Sequence, residues 1–365
     1  MSNDELARST FAQQRQDQVL HLIRARGSIV VSEVAPELGV SELTIRRDVN
    51  QLARRGLVKR VHGGATLPDP EATFSGAPRN RGGRTIGMVV PSYSYYWPSI
   101  IAGARAAAAT AGVRLLLRTS SYDLADDRRQ LRNLLQTPGL QGLILAPDVS
   151  APDSAELLAE LDALDLPVVL TERTAPPGAS ADSLEWASSD HAAGAGMAVR
   201  HLHDQGHRRI GLLYPQNSPT SRQLIDGWRD ELRRLGEDPT LPLTGISDGF
   251  LEAGRDTALD RTLEAVDATG TTALLIHADA AAVAFVQHCT DQGLHVGDDL
   301  AVVAYDDEVA ALGSPPVSAI RPPKEYVGRL TVELLLARLN EGSQRPVHRV
   351  RIGPELHVRE SSVRC

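Results

Sequence analysis

From Thr85 onward, short and largely apolar runs alternate with helix-length amphipathic stretches, and this alternation restricts the fold more than any other feature of the chain. The runs are TIGMVV (85–90), VRLLLR (113–118), GLILA (142–146), LPVVL (166–170), RIGLLY (209–214), TALLI (272–276) and LAVVAY (300–305). A strand that is apolar on both faces must be covered on both faces, which is the situation of parallel rather than hairpin sheets. The covers lie between most of the runs, in stretches such as 99–111, 124–136, 153–164, 191–205, 221–235 and 279–292. Alternation of this kind makes an α/β fold. About 280 residues follow Arg84, more than one such sheet needs, so two α/β lobes are expected. No internal sequence repeat accompanies them.

The first 66 residues are different in kind. They hold ten Arg/Lys and seven Asp/Glu, a net charge of +3, whereas the whole chain carries −8, so the rest carries −11. A small cationic module on an acidic body suits an anionic partner. Residues 10–26 place Val19, Leu20, Leu22 and Ile23 on one stripe, with Gly27 to end a helix. Ser32 can cap a short second helix, closed by Gly39, with Pro36 near its first turn. Ser41 then caps a third helix that runs to Gly56, and LVKRVHGGATL follows as two short strands turning at Gly63-Gly64.

The third helix, SELTIRRDVNQLARRG (41–56), has four arginines. Ile45, Val49 and Leu52 make the i, i+4, i+7 stripe that must face the head's core. The opposite face presents Leu43, Arg47, Asn50 and Arg54, flanked by Thr44, Arg46 and Gln51. Arginine can bond guanine bidentately, asparagine or glutamine can read adenine, and threonine can hold a phosphate. Lys59 and Arg60 on the wing could reach neighbouring backbone, and the helix start at Ser41 offers amide donors to a phosphate. The competing reading is a solvated charged face. The preceding short helix, the basic wing and the acidic remainder of the chain favour a winged helix-turn-helix.

Ser41, Thr44-Ile45-Arg46-Arg47-Asp48 and the wing His62-Gly63-Gly64-Ala65 resemble the DNA-binding domain of DeoR-type transcriptional regulators over about residues 10–66. The resemblance implies that Ser41, Thr44, Arg46 and Arg47 face double-stranded operator DNA. Asp48 lies nearer the core and is expected to orient an arginine.

The body resembles a different family. TIGMVVPSYSYYWPSIIAGARAAAATAG, GLILAP, LPVVLTER, SSDHAAGAGMAVRHLHDQGHRRIGLL, LAVVAYDDEVAALGSPPVSAIRPP and PELHVRES occur in the order found in LacI/GalR effector domains, from about 85 to 361. The resemblance implies a two-lobed periplasmic-binding-protein-like type I domain, with three crossovers between lobes, a ligand in the cleft and a homodimer. The expected limits are a head over 1–66, a linker over 67–84 and a body over 85–365. Within the body, one lobe is expected over about 85–187 and 319–341 and the other over 188–318 and 342–365.

Cleft residues follow position by position. Arg222 matches the family's cleft arginine, and Asp279 matches the aspartate of its NDxxA motif, with Ala278 in place of the usual asparagine. Phe250 matches an aromatic at the cleft edge, Asp190 the residue that opens the second lobe, and Glu172-Arg173 the frequent Asp-Arg pair. Asp306-Asp307 matches GFDD, with Tyr305 for phenylalanine. Loop capping and hinge support are the main roles expected of that pair, and Asp306 is also a ligand candidate. The first loop, Pro91 to Pro98, departs from the family pattern and gathers Ser92, Tyr95, Tyr96 and Trp97. Three of the chain's seven tyrosines fall in it. Aromatic rings there can pack on apolar sugar faces while their polar tips hydrogen-bond, or they can serve as a packing cluster.

Prolines and glycines dominate residues 66–84, which leaves no place for the hinge helix usual in LacI-type proteins. Cleft closure is therefore expected to act by rotating the lobes of a dimer and respacing its heads. No apolar run of about 18 residues occurs, and the opening residues lack the apolar stretch of a secretion signal. Cys289 and Cys365 make neither a disulfide framework nor a metal cluster. GxGxxG, GxxxxGK[ST], GxSxG and HExxH are absent. His191, His201, His203 and His207 read as surface histidines near a helix end. The expectation is a cytoplasmic, nucleoid-associated regulator that represses carbohydrate genes, with no catalytic residues, metal, cofactor or membrane contact. The alternatives are a nucleoside-like effector, an α/β enzyme or a solute-binding protein.

Overall fold

In a computed structural model of the chain, the described residues are 19, 22–23, 28–37, 40–54, 58–61, 64–66, 83–151, 153–176, 178–252 and 254–363. Ser28, Glu33, Glu37, Leu43, Arg54, Lys59, Arg60, Val61 and Thr66 are described for their backbone only. The chain divides into two compact units, Met1–Arg81 and Gly82–Cys365.

In the first unit, β1 (Ser28–Val30), α1 (Val31–Glu37), α2 (Glu42–Arg54), β2 (Lys59–Val61) and β3 (Gly64–Thr66) surround one small core. Ile45, Val49 and Leu52 of α2 are buried there with Val19, Ile23, Val34 and Ala65, so the expected apolar stripe is the inward one. Of the expected first helix, only Val19, Leu22 and Ile23 lie among the described residues.

Two expectations for this unit need correction. The second helix begins at Val31 and contains Ser32, and Pro36 lies near its last turn rather than its first. The reason is burial: Val31, Val34 and Ala35 form the i, i+3, i+4 set that faces the core. The wing is also larger than a hairpin. β3 pairs antiparallel with β2 on one side and with β1 on the other, in the order β1-β3-β2. Gly64 permits this, since a Cβ there would overlap the Ile29 carbonyl.

The second unit holds two six-stranded sheets. The first runs β14 (Arg349–Ile352), β8 (Glu185–Ser189), β7 (Val168–Thr171), β6 (Leu140–Leu145), β4 (Thr85–Val90) and β5 (Arg114–Thr119), all parallel. The second runs β10 (Thr244–Ile246), β9 (Ile210–Tyr214), β11 (Ala273–His277), β12 (Ala301–Tyr305), β13 (Ser318–Arg321) and the antiparallel edge strand β15 (Glu355–His357).

Helices cover both faces. In the first lobe these are α3 (Trp97–Thr110), α4 (Leu124–Leu135), α5 (Ser154–Asp162) and, later in the chain, α10 (Lys324–Glu341). In the second they are α6 (His191–Asp204), α7 (Ser221–Arg234), α8 (Arg255–Thr269) and α9 (Asp279–Asp291). Met88 and Ile144 point to one sheet face, toward Ile100 of α3 and Leu335 of α10, while Val89 and Leu145 point to the other. That is the two-sided burial the apolar runs require. Helices α3 and α10 cross in backbone contact, because Gly103 meets the Glu325 carbonyl and Gly328 meets the Ile100 carbonyl, where any Cβ would overlap.

The chain passes between the lobes three times, at Ser189–His191, Arg321–Lys324 and Ile352–Glu355. This revises the expected lobe limits. Residues 318–321 belong to the second sheet, and 349–352 return to the first as the parallel partner of β8, with Arg349 opposite Trp186. Edge-strand membership is decided by which sheet has a free edge nearby, and sequence order carries no record of that. Among the described residues no helix is long and apolar enough to cross a membrane.

Candidate functional sites in the head and the cleft

Helix α2 is preceded by Ser41, whose Oγ accepts from the Thr44 amide at 3.3 Å and lies 2.9 Å from the Thr44 hydroxyl. The cap satisfies one of the orphan donors at a helix start. Beyond it, Arg46, Arg47 and Gln51 are exposed and Thr44 and Asn50 half-buried, so the polar face is solvent-facing. Arg46 is tethered to Glu42 at 3.2 Å, an exposed i, i+4 pair of small energetic weight. Asp48 is buried, 2% exposed. Arg54 is in the helix and Lys59 and Arg60 are on β2, while His62 lies outside the described residues.

In the body, a cavity of about 360 Å³ opens at the carboxyl ends of the strands of both sheets, the usual ligand position in parallel α/β folds. Tyr95, Tyr96 and Trp97 reach it from the turn after β4, Arg173 from the end of β7, His277 from β11 and Asp306 from β12. The rings interlock. Tyr96 and Trp97 meet edge to face at 6.0 Å, the Trp97 Nε1 donates to the Tyr122 hydroxyl at 2.9 Å, and the Arg173 guanidinium lies 5.4 Å from the Trp97 ring centre.

Along the cavity wall, through Tyr96, His191 and Asp306, and behind it, a buried polar network joins the lobes. The Glu172 carboxylate accepts from the Tyr96 hydroxyl at 2.9 Å, the Ser189 amide at 2.9 Å and the Ser189 hydroxyl at 2.8 Å, and lies 3.4 Å from the His191 ring nitrogen. Burial alone would raise the Glu172 pKa; the His191 bond and charge and the Ser189 donors outweigh it and hold the carboxyl below its ordinary range. His191 Nδ1 continues to the Tyr305 hydroxyl at 3.0 Å. Lys324, at the start of α10, meets Glu308 of the second lobe at 2.6 Å and donates to the Asp306 carbonyl, 5.2 Å from the Tyr96 ring centre.

Asp306 sits 3.5 Å from the His277 Nε2. Burial opposes its charge, but His277, Lys324 and His191 together bring its pKa below the usual aspartate value. Asp279 behaves in the opposite way. Its carboxyl accepts from the Glu308, Val309 and Ala310 amides at 2.6, 2.6 and 3.0 Å and from the Tyr95 hydroxyl. Burial and the Asp306 carboxylate nonetheless push its pKa up. Its oxygens are engaged by this loop and by Tyr95 of the other lobe, so in this arrangement it is a latch between lobes.

Of the residues singled out from the sequence, Tyr95, Tyr96, Trp97, Arg173 and Asp306 line the cavity. Glu172 stands behind Tyr96. Ser92 bonds Ser94 at 2.8 Å, and Asp190 caps α6 through the Ala193 amide at 3.0 Å; neither lines the cavity. Arg222 is exposed on the first turn of α7, outside the lining. Phe250 is stacked on Phe285 at 5.7 Å, 1% exposed, within the core of the second lobe rather than at a cleft edge. Asp307, paired with Arg359 at 2.8 Å and His357 at 2.8 Å, supports β15 as expected of a structural residue.

The histidine expectation also needs correction. His191 and His207 are each 2% exposed, because His191 starts α6 at the lobe boundary and His207 packs toward Thr272. His277, Tyr122 and Lys324 were missed. The signal available for His277 was its place immediately after an apolar strand, where α/β clefts gather their side chains.

Residues 15–71 match a family model described as a DeoR-like helix-turn-helix domain, and residues 199–362 one described as a periplasmic binding protein-like domain. The chain is 26% identical over 350 residues to the arabinose metabolism transcriptional repressor of Geobacillus stearothermophilus, covering 90% of each protein. It is 27% identical over 342 residues to the HTH-type transcriptional repressor PurR of Photobacterium profundum, covering 91% of this chain and 98% of that one. Among solved structures, the CelR transcriptional regulator–cellobiose complex superimposes with a TM-score of 0.63 at 22% identity, covering 88% of this chain and 90% of that one. The lac repressor dimer bound to operator and the anti-inducer ONPF gives 0.64 at 21% identity, covering 82% and 99%. At these identities the two structures bear on the fold alone.

Proposed function

We infer that this transcriptional regulator, a DeoR-type winged helix-turn-helix head on a LacI/GalR-type two-lobed body, binds operator DNA through α2 and a small polyhydroxylated effector in its cleft. The observation that carries the reading is the pairing of two surfaces on one chain. A capped helix exposes Arg46, Arg47 and Gln51, and a separate unit holds a cavity lined by aromatic rings and hydrogen-bonding side chains. The rings offer flat apolar contact to a sugar-like ring, and the cavity's polar groups orient its hydroxyls.

In this reading Ser41, Thr44, Arg46, Arg47, Asn50, Gln51, Arg54, Lys59, Arg60 and His62 make the DNA surface, and the protein acts by binding and release rather than catalysis. It works in the cytoplasm as a homodimer, most naturally as a repressor of carbohydrate genes, a role supported by the arabinose repressor among its relatives. Effector binding favours one lobe arrangement through the interlobe network, and the population shift reaches the heads by respacing them.

Selection of bound sequences from a random duplex pool, followed by titration at increasing salt, tests the DNA half. One enriched motif and a steep loss of affinity with salt are expected, because neutralised phosphates release counterions. A pool that enriches no motif would overturn it.

A further inference from the structure

Two side chains in the cleft narrow the chemistry of the effector, given the regulator reading above. Arg173 is 6% exposed and lines the cavity. Its Nε donates to the Pro147 carbonyl at 3.1 Å and its Nη1 to the Glu172 carbonyl at 2.9 Å, both neutral acceptors. Among the described residues no carboxylate stands within salt-bridge distance of the guanidinium, and Nη2 has no protein partner. The neighbouring acids are committed elsewhere. Glu172 holds Tyr96, Ser189 and His191, and Asp306 faces His277. Asp127 lies near enough to feel the Arg173 charge but makes no ion pair or hydrogen bond with it. Asp248, at the mouth, is exposed and bonds the Gln216 amide. A buried cation without a counter-charge is costly, and an anion bound beside it removes that cost.

The second side chain is His277, 6% exposed and lining the same cavity. Its Nε2 faces Asp306, while its Nδ1 has no hydrogen-bond partner. In the neutral ring, a proton kept on Nε2 by the carboxylate leaves Nδ1 as an acceptor for a hydroxyl. Trp97, against the guanidinium, shields the same region from water.

We propose that the effector is a small polyhydroxylated acid, with a carboxylate or phosphate ester seated on the open edge of Arg173 and a hydroxyl donating to the His277 Nδ1. The charge complement is local: Arg173 is a cation on the cavity wall with no carboxylate at salt-bridge distance among the described residues, and the acid brings the missing partner. Neutral sugars fill the same volume but leave the guanidinium unpaired.

The test is calorimetry and thermal melting of the full chain with D-gluconate, D-glucose 6-phosphate, inorganic phosphate and neutral D-glucose at constant ionic strength. At least one of the anions raises Tm saturably with one site per chain. D-Glucose binds at least about tenfold more weakly, and Arg173→Gln weakens the anion response by at least about tenfold, as expected when one partner of a buried charge pair is removed. Arg173→Lys keeps the charge and retains part of the response. Gluconate against glucose 6-phosphate separates the carboxylate from the phosphate source. Should Arg173→Gln fail to fold, wild-type competition serves instead: sulfate displaces the bound anion and uncharged mannitol does not. The proposal is overturned by a D-glucose affinity equal to that of the acids, by an Arg173→Gln protein that responds like wild type, or by the absence of a saturable response to all the anions. Tight D-glucose binding would leave the cleft reading standing. Failure of all four probes, together with an operator affinity indifferent to a total small-molecule extract, would remove that reading as well.

Discussion

Helix α2 and the cleft are both proposed surfaces for a partner, yet the chain builds them in opposite ways. On α2 the polar face is sequence-local, with Thr44, Arg46, Arg47, Asn50 and Gln51 set out by helical period over a buried Ile45, Val49 and Leu52 stripe. The cleft draws Tyr95, Arg173, His277 and Asp306 from the ends of four strands in two sheets. Its buried polar groups hold one another: Glu172 alone meets Tyr96, Ser189 and His191. A helix face can therefore lose a side chain and lose only its binding, whereas a cleft residue removed leaves desolvated partners behind.

The sharpest way to break this contrast is Glu172→Ala, which orphans three buried groups and should cost about 3–5 kcal/mol of stability, read by urea unfolding. A cost near that of a surface change would erase the distinction. Its pH dependence supplies a second reading. The folded Glu172 carboxyl lies below its ordinary pKa of 4.5, so its contribution is complete above that value. It is lost as pH falls through the folded pKa. Stability of the wild type should thus decline more steeply below about pH 4.5 than that of Glu172→Gln.

Ile45→Ala probes the other side of the contrast, the support under the helix. Ile45 is wholly buried, and a cavity there should cost the head about 2–5 kcal/mol and abolish operator binding. Melting of the body, followed by a thermal scan, should stay in place. Arg47→Ala, by comparison, should cost about 1–3 kcal/mol in operator affinity with no change in head stability, if it reads a base. Salt titrations of both proteins separate a base contact from a phosphate contact, since only the latter lowers the slope. Ser41→Ala is the smallest change, about 1 kcal/mol of head stability through the lost cap. An unaltered melting point for Ser41→Ala would mean that the Thr44 amide is satisfied without it.

The same contrast decides what could be read from the chain beforehand. Periodicity reports which face of a helix is inward, so α2 and its exposed arginines were legible in sixteen residues. The apolar runs likewise announced β4, β6, β7, β9, β11 and β12, because a strand covered on both faces has no choice of composition. Strand β8, EWASS, is wholly buried yet polar, its Glu185 paired with Arg338 and Arg345 and its Ser189 hydroxyl bonded to Glu172, partners that lie apart from it in the chain. It carried no apolar signal for that reason. Edge strands β14 and β15 are short and half exposed, which hid them in the same way. In the cleft, the aromatic loop was conspicuous by composition, but Arg222 and Phe250 were placed by family position and the structure sets them outside the cavity. His277 and Lys324 became visible only once the two sheets had brought their strand ends together.

In the proposed function the cleft and helix α2 are two sites of one equilibrium. The direct test is operator affinity of the full chain, on a duplex selected from a random pool, with and without a saturating amount of the acid that raises Tm. Coupling predicts a shift of at least about fivefold, the lower end of allosteric coupling energies. An operator affinity that stays unchanged while the acid demonstrably occupies the cleft would contradict it.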